Sequence, residues 1–121
     1  MPRRGQPRAA LEDIAEAIAL IERYLRGRKR ADLDVDPMLR QAIERNIEII
    51  SEASRRLPDA WKTRHPAVPW RKVAGIGNVL RHDYDRVDNT VLWQAATAEV
   101  STLKSAVEAL RRDIGAEEKK T

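Results

Sequence analysis

Apolar residues recur along most of this chain at spacings of three and four, the period of one face of an α-helix. The pattern predicts four long helices, over residues of about 8–26, 37–57, 69 or 70 to 81 or 82, and 90–112. No segment alternates apolar and polar positions with the period of two that a half-buried strand requires. The sequence therefore predicts an all-α fold, an antiparallel up-and-down bundle of four main helices plus a short helical turn.

Residues suited to helix ends mark the limits of the first two helices. Gly27 is expected to stop the first helix, because glycine accepts the left-handed backbone that often follows a helix. Asp36 is expected to cap the second helix, and the "RKRADLDVD" segment between the two predicts only a polar connection. Asn46 falls on the apolar stripe of the second helix, so it needs a hydrogen-bond partner from another helix, a second subunit or a ligand.

The second half of the chain has similar signals. Three prolines after the second helix predict a loop, with one short helical turn near residues 60–64. Asp88 or Asn89 is expected to cap the last helix. Gly115 is expected to end that helix, which leaves residues 116–121 as a frayed tail.

Composition narrows the class of protein. The 121 residues predict a single domain, with a core over about residues 8–113. The absence of cysteine excludes disulfides and thiolate chemistry, and the two histidines lack zinc-site spacing, so no metal or cofactor is expected. No apolar run approaches the roughly 20 residues of a membrane span, and the N-terminus lacks the apolar core of a signal peptide. A soluble cytoplasmic protein is expected.

The charge of the chain is concentrated in one stretch. Between Trp61 and Arg86 there are six Lys or Arg residues and two Asp residues, and the resulting +4 equals the net charge of the whole chain. Such a cationic patch favours a phosphate-bearing partner.

Within this stretch, one stripe of the third long helix carries chemistry. At about 100° per residue, Arg71, Gly75, Asn78 and His82 share a face that has no large apolar side chain, as a groove floor would. Histidine is the natural acid or base near neutral pH, and arginine fits phosphate. RNA carries its own nucleophile, the 2′-hydroxyl, so a metal-free site of this kind suits RNA cleavage. A structural cap or surface role for His82 is the alternative interpretation.

Two glycines, Gly75 and Gly77, interrupt the same helix. They favour either close approach of another backbone or room for a ligand. A weak, bent helix is the other possibility, since each glycine costs about 1 kcal/mol relative to alanine.

The stretch "WKTRHPAVPWRKVAGIGNVLRHDYDRVD", together with "LEDIAEAIALIERY" and "LRQAIERNIEIISEASRRL", resembles the HepT-like ribonuclease toxins of the HEPN superfamily. The resemblance spans residues of about 11–110. It implies a homodimer whose third long helices line a shared positive cleft. It also implies metal-independent endoribonuclease activity through a motif in which an arginine precedes a histidine by four to six residues, with His82 as the histidine and Asn78 as a further catalytic candidate. It also implies a minimal nucleotidyltransferase (MNT-type) antitoxin as partner, which attaches AMP to Tyr84 and so blocks cleavage of RNA.

One position departs from the family pattern, which reads Arg-Asn-x-Leu-x-His. Gly77 stands where the arginine is expected. Either Arg81 supplies the charge, or Arg71 of a second subunit does, or catalysis is weakened or lost. Further contacts to RNA are expected from the basic residues of the same region, Arg71, Lys72 and Arg86.

Two other functions compete with an RNase toxin. A regulatory partner of a nucleotidyltransferase would bind RNA without cutting it. A purely structural helical module would dock onto that enzyme and have negligible affinity for RNA.

Overall fold

The protein is described here from a computed structural model that covers residues 6–82 and 88–119, apart from the side chains of Val79, Arg81 and His82. Within these ranges the chain forms seven α-helices and one π-helical turn and no β-strand, which confirms the all-α prediction. The helices are α1 (Pro7–Leu25), α2 (Asp32–Val35), α3 (Pro37–Ser54), α4 (Asp59–Lys62), α5 (Trp70–His82), α6 (Asn89–Gln94) and α7 (Val100–Lys119), with the π-turn (Ala95–Glu99) between the last two.

Contacts between the long helices are antiparallel. On α1 and α7, Glu12 pairs with Arg111 and Glu22 pairs with Lys104, both at 2.9 Å, so the start of one helix faces the end of the other. The start of α1 likewise faces the end of α3, and the end of α3 contacts the middle of α5. The chain is therefore the up-and-down bundle that its apolar periodicity predicts.

A single apolar cluster fills the bundle. It draws on every long helix, and α5 contributes Leu80, with Val73 and Ile76 half-buried against it. The largest fully buried apolar side chains are Leu11, Ile14, Ile21, Leu33, Ile43, Leu92, Leu103, Val107 and Leu110. The core consists of aliphatic side chains, as a chain without phenylalanine requires.

Helix ends follow the local signals in three places. Gly27 has φ 74° directly after α1, the left-handed conformation that suits glycine. Asp36 accepts a hydrogen bond from the Leu39 amide at 3.1 Å, and Asp88 accepts one from the Thr90 amide at 2.6 Å. These contacts confirm the predicted caps of α3 and of the last helical segment.

The predicted polar connection after Gly27 is wrong in one respect, because it contains the short helix α2. Leu33 is only 2% exposed there and joins the core. The Asp32 carboxylate accepts a hydrogen bond from the Lys29 amide at 2.7 Å, which closes the turn before the helix. One buried leucine thus anchors a segment whose sequence is otherwise polar.

The predicted end at Gly115 is also wrong, because α7 continues to Lys119. Ile114 is buried just before the glycine. Beyond it, Glu117 pairs with Arg64 at 3.1 Å and Glu118 pairs with Arg8. Apolar burial and ion pairs to distant parts of the chain keep these residues helical where local propensity favours a stop.

The π-turn is a feature that periodicity does not predict. Thr97 lies within it and donates its hydroxyl proton to the Trp93 carbonyl at 2.7 Å. Such a side-chain bond competes with the backbone ladder of a helix. The turn carries Glu99, whose carboxylate pairs with Lys72 of α5.

Candidate functional site

The start of α5 is held by the loop before it. The Trp70 indole Nε1 donates to the carbonyls of Lys62 and His65, each at 3.1 Å. Val68 is buried two residues earlier. These anchors set the direction in which α5 leaves the loop and therefore the direction of its exposed stripe.

The stripe predicted from the sequence lies on α5. Arg71 and Asn78 are exposed, and His82 is the last residue of the helix, one turn beyond Asn78. A Cβ atom added at Gly75 would meet nothing within 4 Å, so this glycine leaves open room on the surface.

Other predicted site residues fall where the structure gives no side chain. The side chains of Arg81 and His82 are not among those described, and Tyr84 and Arg86 lie outside the described residues. The catalytic, RNA-binding and modification roles predicted for these residues stay predictions.

Gly77 marks close contact between α5 and α3. It is buried, and its amide donates to the Ser51 hydroxyl at 3.1 Å. The same hydroxyl donates to the Ala74 carbonyl at 2.8 Å, so one serine spans almost a full turn of α5. The two glycines therefore differ: Gly77 lies against the neighbouring helix, and Gly75 leaves open surface.

Arg55 is a residue of this site that the sequence analysis missed. It follows Ser51 by one turn of α3, and its Nη2 and Nε donate to the Ala74 carbonyl at 2.6 and 3.2 Å. Nη2 also lies 3.5 Å from the Asn78 Oδ1. The spacing of four between Ser51 and Arg55 was the available signal, because it puts both side chains on one face of the helix.

The cations near α5 differ in how they are neutralised. Lys72 pairs with Glu99, so its positive charge is already partly compensated. Arg56 pairs with the carboxylates of Asp13 at 3.1 Å and Glu52 at 2.7 Å.

Arg64 is neutralised in the same way. Its guanidinium is hydrogen-bonded to Glu117, and this bond raises the pKa of Arg64 above its ordinary value. By contrast, neither Arg55 nor Arg71 forms an ion pair with any carboxylate in residues 6–82 or 88–119. Arg55 and Arg71 therefore keep uncompensated positive charge where α5 meets the end of α3, as far as the described residues show.

A second concave surface lies between α1 and α3, away from the stripe. This cleft has a volume of about 710 Å³. It is lined by four carboxylates, Asp13, Glu16, Glu48 and Glu52. Their negative charge disfavours a polyanion there.

Asn46 lines the same cleft and has a local partner. Its Nδ2 donates to the Ala42 carbonyl of its own helix at 2.9 Å. The observed partner is thus neither another helix, nor a second subunit, nor a ligand.

Two general properties of the described residues bear on function. Across residues 6–82 and 88–119, no helix combines the length and the apolar character that crossing a membrane requires. In the same part of the chain, His, Asp and Glu side chains do not gather in threes as metal ligands would.

Comparison with known proteins identifies relatives. The model of a family described as ribonuclease HepT-like matches residues 14–110, a range that includes all of α5. A Thermococcus cleftensis protein named as a probable ribonuclease HepT is 42% identical, over 84% of this chain and 93% of its own length. Two further relatives carry names that propose an RNase. The one from Caldanaerobacter subterraneus is 33% identical over 84% of this chain and 90% of its own length. The one from Methanocaldococcus jannaschii is 32% identical over 84% of this chain and 93% of its own length. No solved structure matches the chain significantly.

Proposed function

Because this chain belongs to the HepT-like ribonuclease family, we propose that it is a metal-independent endoribonuclease that acts as the toxin of a toxin–antitoxin pair. The observation that carries the proposal is the surface of α5. This helix contains no acidic residue, exposes Arg71 and Asn78, and ends at His82. A cationic surface beside a histidine is suited to binding and cleaving a phosphodiester.

The proposed chemistry uses the 2′-hydroxyl of RNA. His82 accepts the proton of that hydroxyl, the 2′-oxygen forms a bond to the adjacent phosphorus, and the bond from phosphorus to the 5′-oxygen breaks. The leaving 5′-oxygen takes up a proton, so the products carry a 2′,3′-cyclic phosphate and a 5′-hydroxyl. Asn78 stabilises the phosphorane by hydrogen bonding, and an arginine supplies the charge.

A homodimer completes the proposed site. Arg71 precedes His82 by eleven residues, about 16 Å along one helix, so the two cannot contact one phosphate within a protomer. Two α5 helices that cross would bring Arg71 of one protomer towards His82 of the other. Arg81 is the alternative source of charge, while Arg71, Arg86 and, to a smaller extent, the ion-paired Lys72 hold the RNA strand.

Control by an antitoxin through Tyr84 is proposed from the family resemblance, and the position of this tyrosine in the sequence is consistent with it. It lies two residues after His82, so AMP attached to its hydroxyl would add a phosphate and a nucleoside beside the catalytic group. A bulky anion there blocks RNA sterically and repels its backbone. The proposed partner is an MNT-type nucleotidyltransferase, and the proposed place of action is the cytoplasm.

The test is cleavage of RNA by the purified protein in the presence of a chelator. Mass spectrometry first establishes that Tyr84 is unmodified. The wild-type protein is expected to cut RNA and leave 2′,3′-cyclic phosphate ends, and His82→Ala is expected to abolish cutting while the helical circular dichroism signal is kept. An unmodified wild-type protein that cuts no RNA would contradict the proposal.

A catalytically weakened RNA-binding partner is the second candidate, and Gly77 favours it. This residue replaces the family's arginine, and its buried amide is engaged by Ser51 of α3. Such a protein would bind RNA in a salt-dependent manner without cutting it. Restoring the arginine with Gly77→Arg would then raise cleavage in the folded variant. Because Gly77 is buried against α3, circular dichroism and thermal unfolding first establish that the variant folds. A structural docking module would bind no RNA in either form.

A further inference from the structure

Arg55 occupies an unusual position for a surface arginine. Its Nε and Nη2 donate to the Ala74 carbonyl, and Nη2 also approaches the Asn78 Oδ1. This fork fixes the plane of the guanidinium against α5. The third nitrogen, Nη1, makes no hydrogen bond to any of the described residues, so one edge of the group is held still and the other is open to a ligand.

Arg55 differs from its neighbours in that its charge is available to an anionic ligand. Next along the chain, Arg56 is engaged by two carboxylates. Within residues 6–82 and 88–119, Arg55 hydrogen-bonds only to neutral groups, a backbone carbonyl and an amide. A guanidinium whose charge is uncompensated and whose geometry is fixed is suited to binding a phosphate oxygen.

The position of Arg55 relative to α5 distinguishes it from the other candidate cations. Asn78 precedes His82 by four residues, a rise of about 6 Å. Arg55 reaches Asn78, so it lies about one turn from the end of the helix, whereas Arg71 lies about three turns away. Arg81 is next to His82 in sequence, but on a helix it is rotated by about 100° from it.

We infer that Arg55, the residue directly after α3, is the phosphate-binding cation of this site and occupies the role that Gly77 leaves vacant on α5. The inference rests on the proposed function and specifies its electrostatic component. In the proposed complex with RNA, Arg55 Nη1 donates a hydrogen bond to a non-bridging oxygen of the scissile phosphate. The hydrogen bonds to Ala74 and Asn78 hold the guanidinium in place. The positive charge thus comes from the same protomer as Asn78 and His82, but from another helix.

The test compares Arg55→Gln and Arg55→Lys with a matched control, Arg45→Gln. Arg45 also lies on α3, its side chain is 69% exposed, and it forms only a 4.0 Å ion pair with Glu48. The control therefore removes one positive charge from the same helix without touching α5. Thermal unfolding of each variant sets an assay temperature at which all of them are folded.

Two measurements are made on each protein. The first is the single-turnover rate of RNA cleavage at saturating protein. The second is the salt dependence of affinity for an oligonucleotide with 2′-deoxy sugars, which binds but has no nucleophile. Loss of one phosphate contact reduces the slope of log K against log salt by about 0.7, an effect that a purely structural role would not produce.

Arg55→Gln is expected to slow cleavage by about 100-fold and to reduce the salt slope by about 0.7. Arg55→Lys is expected to restore the slope and part of the rate, and Arg45→Gln to leave both unchanged. Cleavage by Arg55→Gln within about threefold of wild type, with an unchanged slope, would overturn the inference and leave the proposed function standing. A wild-type protein that does not cleave would overturn the proposed function itself, and the salt slope would still report whether Arg55 contacts phosphate.

Discussion

The contact between Ser51 and α5 allows a quantitative test of how the site is held. Ser51 is fully buried, and its hydroxyl accepts from the Gly77 amide and donates to the Ala74 carbonyl. Ser51→Ala removes both contacts. Each net hydrogen bond contributes about 0.5–1.5 kcal/mol, and the higher helix propensity of alanine returns about 0.5 kcal/mol. We expect a loss of about 1–2 kcal/mol in the free energy of unfolding, or roughly 4–8 °C in Tm.

Ser54 is the matched control, because it is equally buried on the same helix. Its hydroxyl donates to the Ser51 carbonyl at 2.7 Å, within α3 itself, and makes no hydrogen bond to the described residues of α5. Ser54→Ala is expected to change the free energy of unfolding by less than about 1 kcal/mol, since only a local bond is lost. Urea denaturation followed by far-UV circular dichroism, at one protein concentration, measures both variants.

Equal losses for the two serine variants would refute the reasoning, because they would show that the bonds across the helices add nothing beyond a bond within one helix. The expected outcome has a consequence for activity as well. Ser51 and Arg55 hold the same turn of α5. Ser51→Ala should therefore slow RNA cleavage through misplacement of Asn78 and leave the salt slope of binding unchanged.

Three further predictions concern other parts of the fold. Gly75→Ala and Gly115→Ala are each expected to raise the free energy of unfolding by about 0.5–1 kcal/mol, measured by thermal or urea denaturation. Both glycines lie inside helices, and an added Cβ would meet nothing within 4 Å. A lower free energy of unfolding in either variant would contradict this. Asn89→Ala is expected to raise the pKa of Asp34, which is lowered chiefly by the hydrogen bond from Asn89, and NMR titration of that carboxylate measures the change. A lowered carboxyl pKa stabilises the fold above its unfolded value of about 3.9, and this contribution is lost as the pH falls through the folded pKa. The variant should therefore be less stable than wild type near neutral pH, and the difference should disappear in acid. Leu33→Ala is expected to destabilise by about 2–4 kcal/mol, and a loss below 1 kcal/mol would show that α2 is not anchored by its leucine.

The long helices of this protein were predictable because their signals are local. Apolar spacing defines which face of a helix is buried, and Asp36 and Asp88 cap helices through contacts two or three residues away. The exposed positions of Arg71 and Asn78 on α5 were predictable for the same reason. Arg71, Asn78 and His82 share one helix, so their relative positions follow from helical geometry alone.

The misses have a common physical origin, since contacts distant in sequence decide them. Gly27 and Gly115 are the same residue type near predicted helix ends. Only Gly27 takes up the left-handed conformation, while Gly115 stays helical because the residues after it pair with Arg64 and Arg8. Local propensity differences of about 1 kcal/mol are readily overcome by such tertiary contacts.

Contacts distant in sequence also explain why the net charge of a stretch of sequence differs from the uncompensated charge at the surface. The +4 of residues 61–86 includes Arg64 and Lys72, which are compensated by Glu117 and by Glu99 of the π-turn. Arg55 lies outside that stretch, yet its guanidinium contacts the middle of α5. In the described part of the chain, the cations beside this helix that no carboxylate neutralises are therefore Arg71 of α5 and Arg55, the residue after α3. A basic stretch in the sequence indicates the region of a binding surface, and the pairing of each cation determines which residues bind.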